Sequence, residues 1–201
     1  IFGVDFLFTI QASQWLLYLA AATVLIASLV AMKQDNLKAR LAYSTISQLS
    51  YIVIGAMLAN DLGIIGGGMQ IAMHAFGKIT LFFCAGAYIV IAHKTEISQL
   101  RGIGRTMPLT TIAFLIGSLS IIGLPPMGGL WSKWYLALGA MEAGQVVIVG
   151  VLMVSSLLNV AYLLEIPFKG FFAPEATAGA ASAPRPDRPR WFKEAPLTIL
   201  I

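Results

Sequence analysis

Between Arg105 and Glu142 the chain carries one charged side chain, Lys133, in an otherwise uncharged and largely apolar stretch. As a single straight helix, residues 106–141 would run roughly 54 Å, against a hydrocarbon core roughly 30 Å thick. The sequence interrupts itself at Gly123-Leu124-Pro125-Pro126-Met127-Gly128-Gly129. Two prolines remove two backbone donors and clash with the preceding turn, and three glycines open backbone angles closed to other residues. The stretch predicts a discontinuous membrane helix with Lys133 one turn beyond the break. A lysine beside a broken helix points to ion movement rather than to anchoring.

The rest of the chain supports a membrane setting. It is 58% hydrophobic and 11% charged, with a mean hydropathy of +0.83, whereas soluble domains carry about 25% charged residues. The expected fold class is an all-α polytopic membrane helix bundle. Cys84 is the only cysteine, so no intrachain disulfide can form. His74 and His93 have no cysteine or carboxylate at metal-ligand spacing. Gly66 to Gly68 is not followed by GK[ST], which excludes a phosphate loop. No basic-aromatic patch suggests nucleic acid. No metal, cofactor or nucleic-acid partner is expected.

Five spans can be laid out. Residues 6–32 carry no charge, and their core from Ser13 to Met32 can cross with Ser13 as N-cap. Leu41 to Asn60 is the second uncharged run, and Gly66 to Ala92 the third. The broken helix over 106–141 is the fourth and Ala143 to Leu164 the fifth. Domain boundaries follow: a membrane domain over 1–168, an extramembrane linker over 169–194 rich in alanine, proline and arginine, and the start of a further transmembrane helix over 195–201. The chain begins at Ile1 rather than Met and stops within an apolar run, so it is expected to be a fragment of a longer polytopic protein.

The basic residues give an orientation. Lys33, Lys38 and Arg40 fall between spans one and two; Lys94, Arg101 and Arg105 fall between spans three and four. Lys169, Arg185, Arg188, Arg190 and Lys193 follow span five. All but two of the 13 basic residues therefore lie on one side, which the positive-inside rule assigns to the cytoplasm. The two exceptions are Lys78 and Lys133.

Gln70, His74 and Lys78 recur every four residues, which places them in one polar stripe on an apolar helix. A lysine at the bilayer centre costs about 2.5–3.5 kcal/mol on insertion scales. Desolvation disfavours the charged form of an amine, so a lysine there can exchange protons. A histidine one turn away suits a relay. Other readings stand beside this one. Lys78 could be a structural residue paired with a carboxylate on a helix missing from this sequence, and Gln70 and Asn159 suit helix packing. Lys38 lies near the boundary and reads equally as a topology charge.

Three segments resemble a known family. Asn36-Leu37-Lys38-Ala39-Arg40-Leu41-Ala42-Tyr43-Ser44-Thr45-Ile46-Ser47-Gln48 is similar to the D-[IL]-K-x-x-L-A-Y-S-[ST]-[IVM]-S segment of antiporter-like membrane subunits. His74-Ala75-Phe76-Gly77-Lys78 resembles their H-A-F-x-K. Gly123-Leu124-Pro125-Pro126 through Trp131-Ser132-Lys133 resembles their G-[LF]-P-x-x-G-[FG]-x-[SG]-K, with Gly128 and Gly129 inside it. The resemblance covers about residues 1–170. It implies a C-terminal fragment of a fourteen-helix inverted-repeat fold with one broken helix here. It also implies a proton pathway through Lys133, Lys78, His74 and Lys38, and leaves Gln48 and Gln70 where some relatives carry histidine.

The family includes Mrp-type cation/proton antiporters and proton-pumping subunits of respiratory complex I. Local wording around Lys33 to Lys38 and Trp131 to Trp134 looks closer to the Mrp branch, and within it to the D-type subunits. The resemblance thus implies a non-redox transporter subunit moving protons and Na+ in a bacterial inner membrane, among other membrane subunits. The alternative is a proton-pumping subunit of NADH:quinone oxidoreductase or a membrane-bound hydrogenase.

Overall fold

A computed structural model describes residues 12–174. Residues 1–11, most of the 169–194 linker and the 195–201 segment lie outside the described residues. Among those described the regular structure is helical: α1 Ala12–Lys33, α2 Leu37–Met57, α3 Asp61–Ala92, a 3-10 turn Ile97–Leu100, α4 Ile103–Thr106, α5 Pro108–Ile122, α6 Gly129–Glu142 and α7 Val146–Phe172. Three of them, α1, α3 and α7, are long and apolar enough to cross a membrane by length and composition. The sequence of α2 is long enough but richer in serine and glutamine, because much of its surface is turned into the bundle.

Each boundary has a local cause. Asn36 accepts a hydrogen bond from Ala39 N and starts α2; Asn60 accepts from Gly63 N and starts α3. That cap lets α3 begin at Asp61 rather than at Gly66, with an acidic residue in its first turn where the helix dipole favours it. Pro108 opens α5 at a position where its missing N–H costs nothing. Gly123, at φ +84°, ends α5 in the left-handed conformation, its N–H bonded to Leu119 O. After one irregular turn α6 begins at Gly129, so the predicted break falls between Ile122 and Gly129. The fifth span runs past the expected Leu164 to Phe172 because Glu165 and Lys169 pair within it one turn apart.

Helix α3 is the centre of the bundle and packs on α2, α5 and α6, while α7 closes the assembly against α1, α5 and α6. Glycines permit the tightest approach. A Cβ on Gly139 of α6 would lie 2.6 Å from Gly63 N, and one on Gly129 would lie 2.0 Å from Ser120 O. Neither position has room for a side chain.

Two apolar clusters divide the interior. One gathers Leu37, Leu41, Leu81, Tyr88, Phe114 and Tyr162; the other gathers Leu17, Val24, Tyr51, Leu136, Ile148 and Leu152. On three helices buried polar residues lie between the two sets: Ser28 on α1, Ser44 to Gln48 on α2, Ser155 and Asn159 on α7. The bundle thus has an apolar end, a polar middle layer and a second apolar end. The end carrying Lys33, Lys94 and Arg105 is stitched by Leu37 N to Thr95 O, Ile97 N to Asp35 O and Gly102 N to Lys169 O.

Candidate functional site

The middle layer is built on α3. Gln70, His74 and Lys78 are 3%, 8% and 5% exposed, so the stripe read from their spacing faces the bundle interior. Lys78 Nζ donates to Leu41 O at 3.0 Å and to Ser44 Oγ at 2.8 Å. Both acceptors are neutral. Among the described residues no carboxylate pairs with Lys78, and the ion pairs gather at Glu165. One turn away on the same helix, His74 has a buried Nδ1 with no hydrogen-bond partner.

Lys133 stands in the second turn of α6 and points back at the break. Its Nζ donates to Ile121 O at 3.0 Å and Ile122 O at 2.8 Å, and lies 5.5 Å over the Tyr51 ring. Those carbonyls belong to the last turn of α5 and have no continuing helix to accept from. A cation there meets the negative end of the α5 dipole and the face of an aromatic quadrupole. The glycine and proline residues of the break make this geometry: Gly123 turns the chain out of α5, and Gly129 lets α6 return close enough for Lys133 to reach.

A small crevice with no room for a water is lined by Gln48, Gln70, Met73, His74, Ser120, Ile121 and Gly129. Ile121 thus borders the crevice and holds Lys133 through its carbonyl. Gln70 Nε2 donates to Gln48 Oε1 at 2.8 Å, and Ser132 Oγ donates to Gln70 Oε1 at 2.5 Å. The two glutamines are therefore directly bonded, and their chain ends at Ser132, the neighbour of Lys133 in sequence.

The structure does not bring Lys38 into this cluster. It is exposed in the first turn of α2, one turn before Leu41. Arg40 behaves oppositely to its reading as a loop charge. It is 4% exposed and donates to Glu165 Oε2, Gln34 O, Met32 O and Tyr162 O. Sequence reasoning missed Arg40, Ser44, Ser132 and Tyr162 as parts of the buried polar system. The pairing of Arg40 had one visible signal, the carboxylate of Glu165 at the end of an otherwise uncharged span.

Similarity to known proteins runs through the same residues. The family model described as "NADH:quinone oxidoreductase/Mrp antiporter, TM" matches residues 1–159. An NADH-quinone oxidoreductase subunit N from Desulforudis audaxviator is 40% identical over 195 residues, 96% of this chain and 38% of that protein. A D-type subunit of a Na(+)/H(+) antiporter from Alkalihalophilus pseudofirmus is 32% identical over 157 residues, 78% of this chain and 32% of that protein. The solved Mrp complex from Dietzia sp. DQ12-45-1b superimposes with a TM-score of 0.78 at 31% identity, covering 83% of this chain and 31% of that one. The chain therefore spans about a third of the length of the relatives it matches.

Proposed function

The chain belongs to the NADH:quinone oxidoreductase/Mrp antiporter transmembrane family, and on that premise we propose that it is a proton-translocating membrane subunit of a multisubunit monovalent cation (Na+)/proton antiporter. One observation carries the reading: the Nζ atoms of buried Lys78 and half-buried Lys133 are both held by uncharged oxygens, with His74 one turn of α3 from the first and Ile121 O bonded to the second. An amine so placed is costly to keep charged in hydrocarbon, and neutral oxygens accept from either of its protonation states. Protons pass between Lys78 and Lys133 by way of His74, and Gln48 and Gln70 of the Gln48–Gln70–Ser132 chain line the crevice with hydrogen-bonding groups. The break at Gly123, Pro125, Pro126, Gly128 and Gly129 positions Lys133 at the far end. Lys38 supplies protons at the cytoplasmic boundary of a bacterial inner membrane.

A second reading, a proton-pumping subunit of NADH:quinone oxidoreductase, is favoured by the 40% identity to a subunit N across 96% of the chain. The same lysines serve both, and the source of driving force separates them. The test is proton flux in vesicles holding the assembled complex. Lys133→Ala and Lys78→Leu are each expected to reduce flux by at least about tenfold, and unchanged flux in both overturns the reading. A Na+ gradient that drives flux without a reductant supports the antiporter. A requirement for NADH or another electron donor supports the redox-driven alternative.

A further inference from the structure

Lys78 is the first member of a hydrogen-bonded series that the crevice does not include. Its Nζ lies 2.8 Å from Ser44 Oγ. Ser44 Oγ lies 3.1 Å from the Tyr162 hydroxyl, and that hydroxyl also bonds to Asn159 Oδ1. Ser44, Tyr162 and Asn159 are 0%, 1% and 0% exposed. Each hydroxyl owns one hydrogen, which fixes the direction of every link. When Tyr162 donates to Asn159 Oδ1, its oxygen must accept from Ser44. Ser44 then has only lone pairs for Lys78, which suits an ammonium, a group with three donors and no acceptor.

The opposite end of the series is unsatisfied. Asn159 Nδ2 is buried and has no hydrogen-bond partner, and neither has the buried Tyr51 hydroxyl, which faces Ser155, Ser156 and Asn159. A half-turn of the Asn159 amide would bring Nδ2 to Tyr162. Tyr162 would then donate to Ser44, and Ser44 would donate to the lone pair of an uncharged Lys78 amine, while Lys78 still donates to Leu41 O. Each hydroxyl keeps its own hydrogen in both arrangements. The amine alone has lost a proton, to the transport path. In the turned arrangement Asn159 Oδ1 is free to accept from Tyr51, the residue whose ring lies under Lys133.

We propose that Ser44, Tyr162 and Asn159 form a reversible hydrogen-bond series whose direction follows the protonation state of Lys78, with the Asn159 amide as the part that turns. Tyr162 and Asn159 are positioning residues: they reach Lys78 only through Ser44. The series also links Lys78 to the aromatic ring beneath Lys133 by a route separate from the crevice. The ionisable groups surrounding it are His74 on α3, Tyr162 on α7, Tyr51 on α2 and Arg40 on α2, the last paired with Glu165; α5 contributes none. The inference rests on the reading that Lys78 changes protonation state during transport.

The pH profile of proton flux in vesicles containing the assembled complex tests it. Tyr162→Phe, Ser44→Ala and Asn159→Leu are each expected to move the midpoint of the profile by about half to one pH unit. Because the three act as a unit, the double variants Tyr162→Phe/Asn159→Leu and Tyr162→Phe/Ser44→Ala should move it no further than Tyr162→Phe alone. Lower maximal flux with an unmoved midpoint in every variant makes these residues structural and overturns the inference. Additive midpoint shifts overturn it as well. Lys78→Leu separates the two levels. If it leaves flux intact, the transport reading has failed; if it abolishes flux while the three variants keep the native midpoint, only the series has failed.

Discussion

Lys133 fastens two carbonyls at the open end of α5 while it stands over Tyr51, so removing it costs the fold as well as the charge. Lys133→Met is expected to destabilise the purified complex by about 1–3 kcal/mol, seen as a lower midpoint of thermal unfolding in detergent. Arg40 should cost more. Its guanidinium satisfies three carbonyls and one carboxylate from two chain segments, and Arg40→Leu removes all four bonds, leaving Glu165 with Lys169 alone, for a loss of about 2–4 kcal/mol. Glu165→Gln should be milder, since Glu165 is one-third exposed and the amide still accepts from Arg40. Equal losses for the two would show that the carboxylate, not the carbonyls, is what Arg40 serves. At this scale the sequence was legible wherever one helix supplied the whole pattern. Gln70, His74 and Lys78 could be placed on one face because their spacing is internal to α3. Ser44, Tyr162 and Ser132 could not, because their partners come from other helices and a serine or tyrosine in an apolar run has no period of its own.

The break between α5 and α6 depends on close backbone approach. Gly129 has no room for a Cβ against Ser120 O, whereas Gly68 has nothing within 4 Å. Gly129→Ala is therefore expected to lower the amount of assembled complex and its flux together. Gly68→Ala should leave both unchanged or gain about 0.5–1 kcal/mol from helix propensity. Thermal unfolding and the yield of intact complex read out the pair, and a tolerated Gly129→Ala would mean that α5 and α6 do not need to meet here. The interruption itself was readable, since paired prolines flanked by glycines have few other uses in an apolar stretch. The end of α7 was not. Glu165, Pro167 and Lys169 look like the exit from a span, yet the helix continues through all three to Phe172. The Arg40 and Lys169 contacts on Glu165 hold it together there, and one of those contacts is tertiary.

The proposed orientation puts the two ends of the molecule in different compartments, and exposed positions make that testable. With Cys84 buried, a cysteine placed at Arg101 should react with a membrane-impermeant maleimide only from the cytoplasmic side, and one placed at Asp61 only from the other. The reverse pattern would invert the proposed orientation. The outer faces of α1 and α3 carry Trp15, Leu19, Phe76 and Val90 largely uncovered, as helices in contact with lipid or with neighbouring helices do. The same polarity that places the middle layer also insulates it. Each apolar cluster seals one end of the bundle, and His74 and Lys78 of α3 and Lys133 of α6 belong to neither cluster. Under the proposed function a charge passed among them would travel across the bundle rather than along its helices, like current in a core sheathed on two sides. Its terminals are then the flanks of the bundle, where the next polypeptide would have to make the connection.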